Sequence, residues 1–216
     1  MKKLMKKGLL GVTSAGLLLV ASQAMADTTP LFTDTFGPAT TEWNYNFTLP
    51  LFDPSLGTLT AVYVGAYADV NMFGSVSNRA ATTEHFTLQE GSELTVMVPG
   101  SLGALYPSPT ALAASYNLAS HTSAMYGPSN ATDFVDYTYT APADLALFIG
   151  PGTFTENGQT ANITTIVGGG GNVDTAVTTL ASGEVEVQYT YIPIPEPASL
   201  ALLALGGAVM LLRKRR

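Results

Sequence analysis

The stretch GEVEVQYTYI, residues 183–192, alternates polar and apolar side chains without interruption. Its apolar positions fall on one side of an extended chain: Val185, Val187, Tyr189 and Tyr191. Because successive side chains of a β-strand point to opposite faces, this period of two predicts a strand with one buried face and one solvent-facing face.

Similar runs upstream share a richness in β-branched and aromatic residues and cover positions 41–51, 59–70, 92–98, 133–140 and 144–150. Turn signals with glycine or proline stand near them, at 54–57, 99–100, 127–128, 150–152 and 168–171. About eight short strands punctuated in this way predict an all-β fold, an antiparallel β-sandwich. One alanine-rich window, Thr110–Ala119, favours a short helix instead.

The ionisable residues are distributed unevenly. Eight of the nine Lys and Arg residues lie within the first seven or the last four positions, which leaves Arg79 alone against sixteen carboxylates, a formal charge of −15 for residues 27–197. Because nucleic-acid affinity depends on cation–phosphate contacts, we expect no nucleic-acid partner. The chain also contains no cysteine, which excludes disulfides, thiol catalysis and cysteine metal ligands.

The first 26 residues have the three parts of a secretory signal peptide. Lysines precede a short apolar run from Leu9 to Val20, and Ala24-Met25-Ala26 offers the small-x-small pattern that signal peptidase recognises. Ala24 and Ala26 are therefore the predicted recognition residues, and signal peptidase is a predicted partner. We expect an N-terminal signal helix and export across the inner membrane.

The C-terminus is also tripartite. Its parts are Pro195-Glu196-Pro197, an uncharged apolar run over 198–212, and the cations Arg213, Lys214, Arg215 and Arg216. As a helix the run spans about 22 Å, shorter than the roughly 30 Å bilayer core, so we expect a short and transient transmembrane anchor. The cations predict a cytoplasmic stop, and the prolines keep the acid extended outside the bilayer.

This ordered triad, paired with a signal peptide, resembles the PEP-CTERM sorting signal of Gram-negative bacteria. In that family exosortase, a membrane-embedded transpeptidase, recognises the signal and processes the chain near the motif. The resemblance implies residues 193–216 as a sorting signal, Pro195, Glu196 and Pro197 as its motif, and exosortase as a partner. It also implies release from the transient anchor to the cell surface or the exterior.

The segment between the signals resembles the choice-of-anchor E domain, a bacterial ectodomain that occurs with different sorting signals. The similarity covers most of residues 41–191 and rests on LPLFDPSLGTLTAV, DLALFIGPGTFT and GEVEVQYTY. Asp133-Phe134 ahead of the glycine-containing FIGPG segment also fits. The resemblance implies a single β-rich ectodomain over 27–192 and no particular activity.

Nucleophilic catalysis has little support in the sequence. His85 and His121 are its only histidines, and no Gly-x-Ser-x-Gly elbow accompanies them. The glycine run 168–171 lacks the lysine of a phosphate-binding loop and predicts a hairpin tip. We therefore assign no catalytic or cofactor-binding residue.

Carboxylate pairs that could serve a glycosidase are Asp133 with Asp136 and Glu184 with Glu186. The first two are three apart and point to opposite faces of a strand, while the second two share the solvent face. Solvated surface roles are the expectation for both pairs.

Calcium is the one metal that the composition leaves open, because oxygen ligands are plentiful and cations are scarce. The segment DVNMFG, 69–74, resembles the start of an EF-hand loop. However, Phe73 occupies an oxygen-ligand position and Ala80 stands where the bidentate Glu belongs, so no ligand set can be named.

Three functions remain open. The first is an exported, non-enzymatic surface or extracellular-matrix protein that exosortase sorts and that associates with exopolysaccharide or biofilm. The second is a carbohydrate-binding module whose exposed aromatic side chains act as stacking platforms: Trp43, Tyr137, Tyr139, Tyr189 and Tyr191. The third is a polysaccharide hydrolase.

Signal peptidase should cleave after Ala26, so that the mature chain begins at Asp27. N-terminal sequencing of the protein exported by its host measures this directly. Recovery of a mature protein that still begins with Met1 would contradict the prediction.

Overall fold

The computed structural model describes residues 25–194 together with residues 206, 207, 210 and 213. The strands of this part are β1 (Asp27–Thr28), β2 (Phe32–Thr40), β3 (Asn44–Pro50), β4 (Gly57–Asn78), β5 (Glu84–Met97), β6 (Ala104–Leu105), β7 (Thr110–Leu118), β8 (Ser123–Tyr139), β9 (Thr153–Gly168) and β10 (Val173–Pro193). A one-turn helix, α1 (Pro142–Leu145), continues into a 3-10 turn over Ala146–Phe148, and a second 3-10 turn covers Gly169–Gly171.

The strands form two antiparallel sheets. In the first, here sheet A, β10 pairs with β4 on one side and with β1 and β2 on the other, and β8 pairs with β4. In sheet B, β9 lies between β3 and β5, and β5 also pairs with β6 and β7. The sheets pack face to face, so the predicted all-β, antiparallel architecture is confirmed.

The interior consists of two apolar clusters. The larger contains aliphatic and aromatic residues from both sheets, among them Phe47, Leu94 and Val187, all fully buried. The smaller contains Val76, Phe86, Leu88 and Tyr126. The alternation over 183–192 has the predicted outcome, because Val185, Val187 and Tyr189 are buried while the residues between them are only half-buried.

Two secondary-structure predictions are wrong. The window Thr110–Ala119 is largely strand β7, which pairs with β5 and packs Leu112 and Tyr116 against the smaller cluster. The run 144–150, predicted as a strand, is instead the end of α1 and a 3-10 turn, since Pro142 occupies the first helical turn and Leu145 and Phe148 bury themselves.

The predicted strand lengths and turns also need correction. The strands are not short: β4 has 22 residues and β10 has 21. Gly127-Pro128 lies inside β8 and accompanies a register shift rather than a turn. The glycine run 168–171 connects β9 of sheet B with β10 of sheet A, so it is a crossover and not the hairpin tip that we predicted.

Aspartate side chains link the two sheets along both sides of the sandwich. Asp34 on β2 accepts a hydrogen bond of 2.7 Å from the backbone N–H of Thr48 on β3. Asp133 on β8 accepts one of 2.7 Å from the backbone N–H of Ser108, which precedes β7. Each carboxylate thereby satisfies a backbone donor of the opposite sheet, which explains why Asp133 faces inward.

Two glutamates lie in the interior. Glu90 accepts a hydrogen bond of 2.8 Å from the Tyr126 hydroxyl across the sandwich, and burial raises its pKa. Glu156 is fully buried, and neither of its carboxylate oxygens has a hydrogen-bond partner in the described part of the chain. Burial raises the pKa of Glu156 to about 8. Burial therefore favours the protonated form of both side chains more than an exposed position would.

Glu156 should make the domain less stable as the pH rises. Its folded-state pKa of about 8 exceeds the ordinary value of 4.5, so the folded protein binds more protons between these values. The free energy of unfolding should fall across that window, by up to about 1.4 kcal/mol per pH unit. Urea unfolding of wild type and of Glu156→Gln at a series of pH values measures the difference.

Glu93→Gln is the matched control, because it makes the same carboxyl-to-amide change at a half-buried position of the same sheet. Identical pH profiles for wild type and Glu156→Gln would show that Glu156 does not titrate with folding.

A tyrosine-lined cavity as the candidate functional site

A cavity of about 320 Å³ opens where the loop after β5, the end of β8 and α1 meet. Its lining residues are Ser101, Leu102, Ala104, Leu105, Tyr137, Tyr139 and Asp144. This volume is at the lower end of the range for small-molecule sites. The lining combines aromatic faces, a hydroxyl and a carboxylate.

Tyr137 and Tyr139 are two residues apart on β8 and therefore project to the same side. Their ring centroids are 4.8 Å apart, and the Tyr139 ring also lies 5.9 Å from Phe148 in the main cluster. Tyr139 is buried, whereas Tyr137 is 58% exposed. One tyrosine thus holds the other in place and leaves a ring face free for stacking.

The electrostatics of the cavity favour a neutral phenol beside a carboxylate. Burial, and then the charges of Glu156, Tyr137 and Asp144, raise the pKa of Tyr139. Tyr139 therefore stays protonated at neutral pH. Asp144 lies in the first turn of α1 and supplies the only carboxylate that lines the cavity in the described structure. An exposed ring that can stack, hydroxyl donors and a carboxylate acceptor are the groups that can contact a sugar ring.

The other predicted stacking residues are buried or half-buried. Tyr189 is buried, and its hydroxyl donates to the backbone carbonyl of Pro50 at 2.7 Å. Trp43 and Tyr191 pack against the main cluster, and the Trp43 indole N–H donates to the Ala181 carbonyl. The prediction of exposed stacking platforms is therefore wrong for buried Tyr189 and Tyr139. Trp43 and Tyr191 are half-buried, and Tyr137 is the one of the five that is mostly exposed.

The two histidines lie outside the cavity. His85 is exposed on β5 of sheet B, and His121 is exposed in the turn between β7 and β8, where its φ is 56°. Neither is among the residues that line the cavity. The structure therefore does not bring a histidine together with Asp144.

The carboxylate pairs lie as their spacing predicted. Asp133 faces inward and Asp136 is exposed on the outer face of β8. Glu184 and Glu186 share the outer face of sheet A, where both are half-buried rather than fully solvated. The Tyr63 hydroxyl donates to Glu186 at 2.7 Å, a contact that no sequence pattern indicated because Tyr63 lies on a distant strand.

The EF-hand-like segment is part of a strand. Asp69–Gly74 lies within β4, so its residues cannot wrap around an ion as a loop does. In residues 25–194 and the few described tail positions, no group of three or more His, Asp or Glu residues is placed to hold a metal ion. Calcium binding stays a prediction without assigned ligands.

Most of the terminal signals lie outside the described residues. These are Ala24, the triad Pro195, Glu196 and Pro197, and the cations Lys214, Arg215 and Arg216, together with the predicted signal helix and most of the predicted transmembrane helix. Ala26 is described as an exposed residue before β1, and Arg213 as helical. The helices seen in the described residues are too short or too polar to cross a bilayer.

Residues 193–216 match the family described as the PEP-CTERM protein-sorting motif. The chain therefore carries this sorting motif, which indicates an exosortase-targeted surface protein and implies export and membrane-associated sorting in Gram-negative bacteria. The resemblance of residues 41–191 to choice-of-anchor E stays a prediction. No curated protein matches the sequence.

Two of the solved structures with some similarity come from a virus. The infectious bursal disease virus Gt strain structure shares 10% identity over 94% of this chain and 55% of that chain, with a TM-score of 0.14. The Gx strain structure of the same virus shares 13% identity over 89% and 48%, with a TM-score of 0.12. This chain spans about half the length of those it matches, and nothing about its fold or function follows from such low scores.

Replacing Tyr137 by Ala should weaken any binding of neutral oligosaccharides about fivefold to tenfold, because it removes the exposed stacking ring. Titration calorimetry against a panel of neutral hexose oligosaccharides measures the change. Tyr106→Ala is the matched control, since Tyr106 is similarly exposed at 54% but does not line the cavity. Equal losses in both variants would exclude the cavity as the site.

Proposed function

We propose that this protein is an exported, non-enzymatic component of the cell surface or extracellular matrix, sorted and processed by exosortase and associated with extracellular polysaccharide. The observation that carries the proposal is the sorting motif over residues 193–216. The predicted signal peptide adds signal peptidase as a partner and provides the export that the motif requires. The membrane is then a transient partner, and the cell surface or exterior is the destination.

The position of the motif relative to the fold supports processing of a folded domain. Strand β10 ends at Pro193, and the backbone N–H of Ile194 still donates to the Leu56 carbonyl at 3.3 Å. The Pro-Glu-Pro triad begins at the next residue. Cleavage near the triad therefore removes no strand residue, and the processed β-domain keeps its complete central strand.

The strongly acidic surface fits a role outside the cell. Between residues 25 and 194 a single cation, Arg79, stands among the carboxylates, and it pairs with Asp174. A net charge this far from zero opposes self-association and keeps the domain soluble. It also opposes binding to anionic lipids and nucleic acids, so we propose no nucleic-acid partner.

Carbohydrate binding through the Tyr137 cavity is the second candidate function. It is favoured by one exposed ring that a buried tyrosine supports, next to the carboxylate of Asp144. A hydrolase is less well supported, since glycosidases use two carboxyl groups on either side of the scissile bond. The lining described here supplies one, and Glu156 lies behind it in the interior.

Deletion of Pro195–Arg216 should abolish processing and leave the protein off the cell surface, because exosortase then has no substrate motif. The measurement is surface protease accessibility in the host, with the mass of the mature chain determined by mass spectrometry. The triple change Pro195→Ala, Glu196→Ala and Pro197→Ala should have the same effect.

Ile192→Ala is the matched control, because Ile192 is an exposed residue near the end of β10 and precedes the matched residues 193–216. That variant should be processed as wild type. Unchanged display and processing of the deletion variant would contradict the proposed function.

A further inference from the structure

The outer face of sheet A carries a regular arrangement of acids and aromatic rings. Strands β10, β4 and β8 are adjacent there, and their register aligns Glu184, Tyr67 and Phe134 in one row. The next row aligns Glu186, Gly65 and Asp136. Side chains that face each other in such rows are about 4.5–5.5 Å apart at Cβ. With Tyr63, these side chains form what we name the acidic aromatic face: Tyr63, Tyr67, Phe134, Asp136, Glu184 and Glu186.

Gly65 makes this face continuous. A Cβ at that position would lie 2.8 Å from Oε1 of Glu186 and 2.9 Å from a ring carbon of Phe134. The missing side chain thus lets the carboxylate and the ring lie across the backbone of β4. Tyr67 and Phe134 remain 37% and 42% exposed, so two aromatic rings face outward beside the acids.

The charges of this face have no cationic partner in the described residues. The one ion pair seen there joins Arg79 to Asp174, away from these rows. The Tyr63 hydroxyl donates to Glu186 at 2.7 Å, and burial, that hydrogen bond and the charges of Glu186 and Asp136 raise the pKa of Tyr63. Tyr63 is therefore a neutral donor that orients Glu186 and cannot neutralise it.

The three carboxylates thus extend over two strand spacings, about 10 Å, across the sheet face and over two residues, about 7 Å, along β10. Their mutual repulsion is unfavourable, and a ligand with several positive charges relieves it. A single divalent ion does not fit this spacing, since the described residues offer no three-ligand cluster. An extended peptide usually binds a sheet edge through its backbone. This face offers ring surfaces and carboxylates instead.

We propose that the acidic aromatic face binds an amine-bearing polysaccharide, whose sugar rings stack on Tyr67 and Phe134 while its ammonium groups bind the carboxylates. The inference rests on the proposed function in one respect, that the ligand is extracellular polysaccharide. Tyr63 and Tyr67 are roughly 13 Å apart along β4 at about 3.3 Å per residue, so the face spans more than one sugar unit of a chain.

Binding of glucosamine oligomers to the full chain in mild detergent tests this proposal. N-Acetylglucosamine oligomers present the same rings without the charge, and lysine oligomers present the charge without sugar rings. Wild type should bind glucosamine oligomers at least about tenfold more tightly than either comparison probe. Added salt should weaken the binding, because exposed charges are screened.

Two variants and one control locate the site. Glu184→Gln with Glu186→Gln and Asp136→Asn should lower the affinity about tenfold, and Tyr67→Ala with Phe134→Ala about fivefold. The control removes three charges elsewhere, through Glu42→Gln, Glu84→Gln and Glu93→Gln, and should stay within about twofold of wild type. Thermal unfolding of each variant verifies that the fold is retained.

Selective binding of glucosamine oligomers that weakens by these factors in both the carboxylate variant and the aromatic variant supports the proposal. Equal binding of lysine oligomers, wild-type affinity of the aromatic variant, or no binding of glucosamine oligomers would each overturn it. A failure of this inference can be distinguished from a failure of the proposed function. If the chain is processed and stays with the matrix but does not bind glucosamine oligomers, only this inference is contradicted. A wild-type chain that is never processed or displayed would end the proposed function instead.

Discussion

The antiparallel pairing of β10 with β4 is the constraint on which the rest of the domain depends. It runs from Val173 opposite Asn78 to Pro193 opposite Gly57. Because side chains alternate between faces, a slip of one residue would bury the glutamates of β10 and expose its valines. Each buried valine contributes about 1.5–3 kcal/mol, and an unpaired buried carboxylate costs more, so the correct register is strongly favoured. The same register creates both the core and the acidic outer face.

The fold was predictable where one face of a strand is apolar and the other is polar, as over residues 183–192. It was not predictable where composition and tertiary packing disagree. Thr110–Leu118 is rich in alanine, but β5 offers it a ladder and the smaller cluster accepts its large side chains. Residues 144–150 look extended, yet Pro142 starts a helical turn and burial of Leu145 and Phe148 completes it. In both segments, tertiary packing outweighs the local secondary-structure propensity.

The candidate sites were harder to predict than the fold, because they depend on residues far apart in sequence. The cavity joins Ser101, Tyr137 and Asp144 from three elements. The acidic aromatic face joins three strands, with contributions from residues 63–67, 134–136 and 184–186. Aromatic alternation alone pointed equally to Trp43, Tyr189 and Tyr137, of which only Tyr137 is mostly exposed. A strand pattern identifies two faces, but only the packing of the second sheet decides which one is covered.

The sorting motif and the fold meet at the same end of sheet A. Asp27 pairs with Tyr191, so the predicted mature N-terminus lies beside the last residues of β10. Gly57 also lies there, and a side chain on it would collide with the backbone carbonyl of Ile192. Both ends of the predicted mature domain are therefore held by the central strand pair up to Ile194. Among the described residues, the strands of sheet A are complete before the Pro-Glu-Pro triad begins, which fits the proposal that exosortase processes a folded domain.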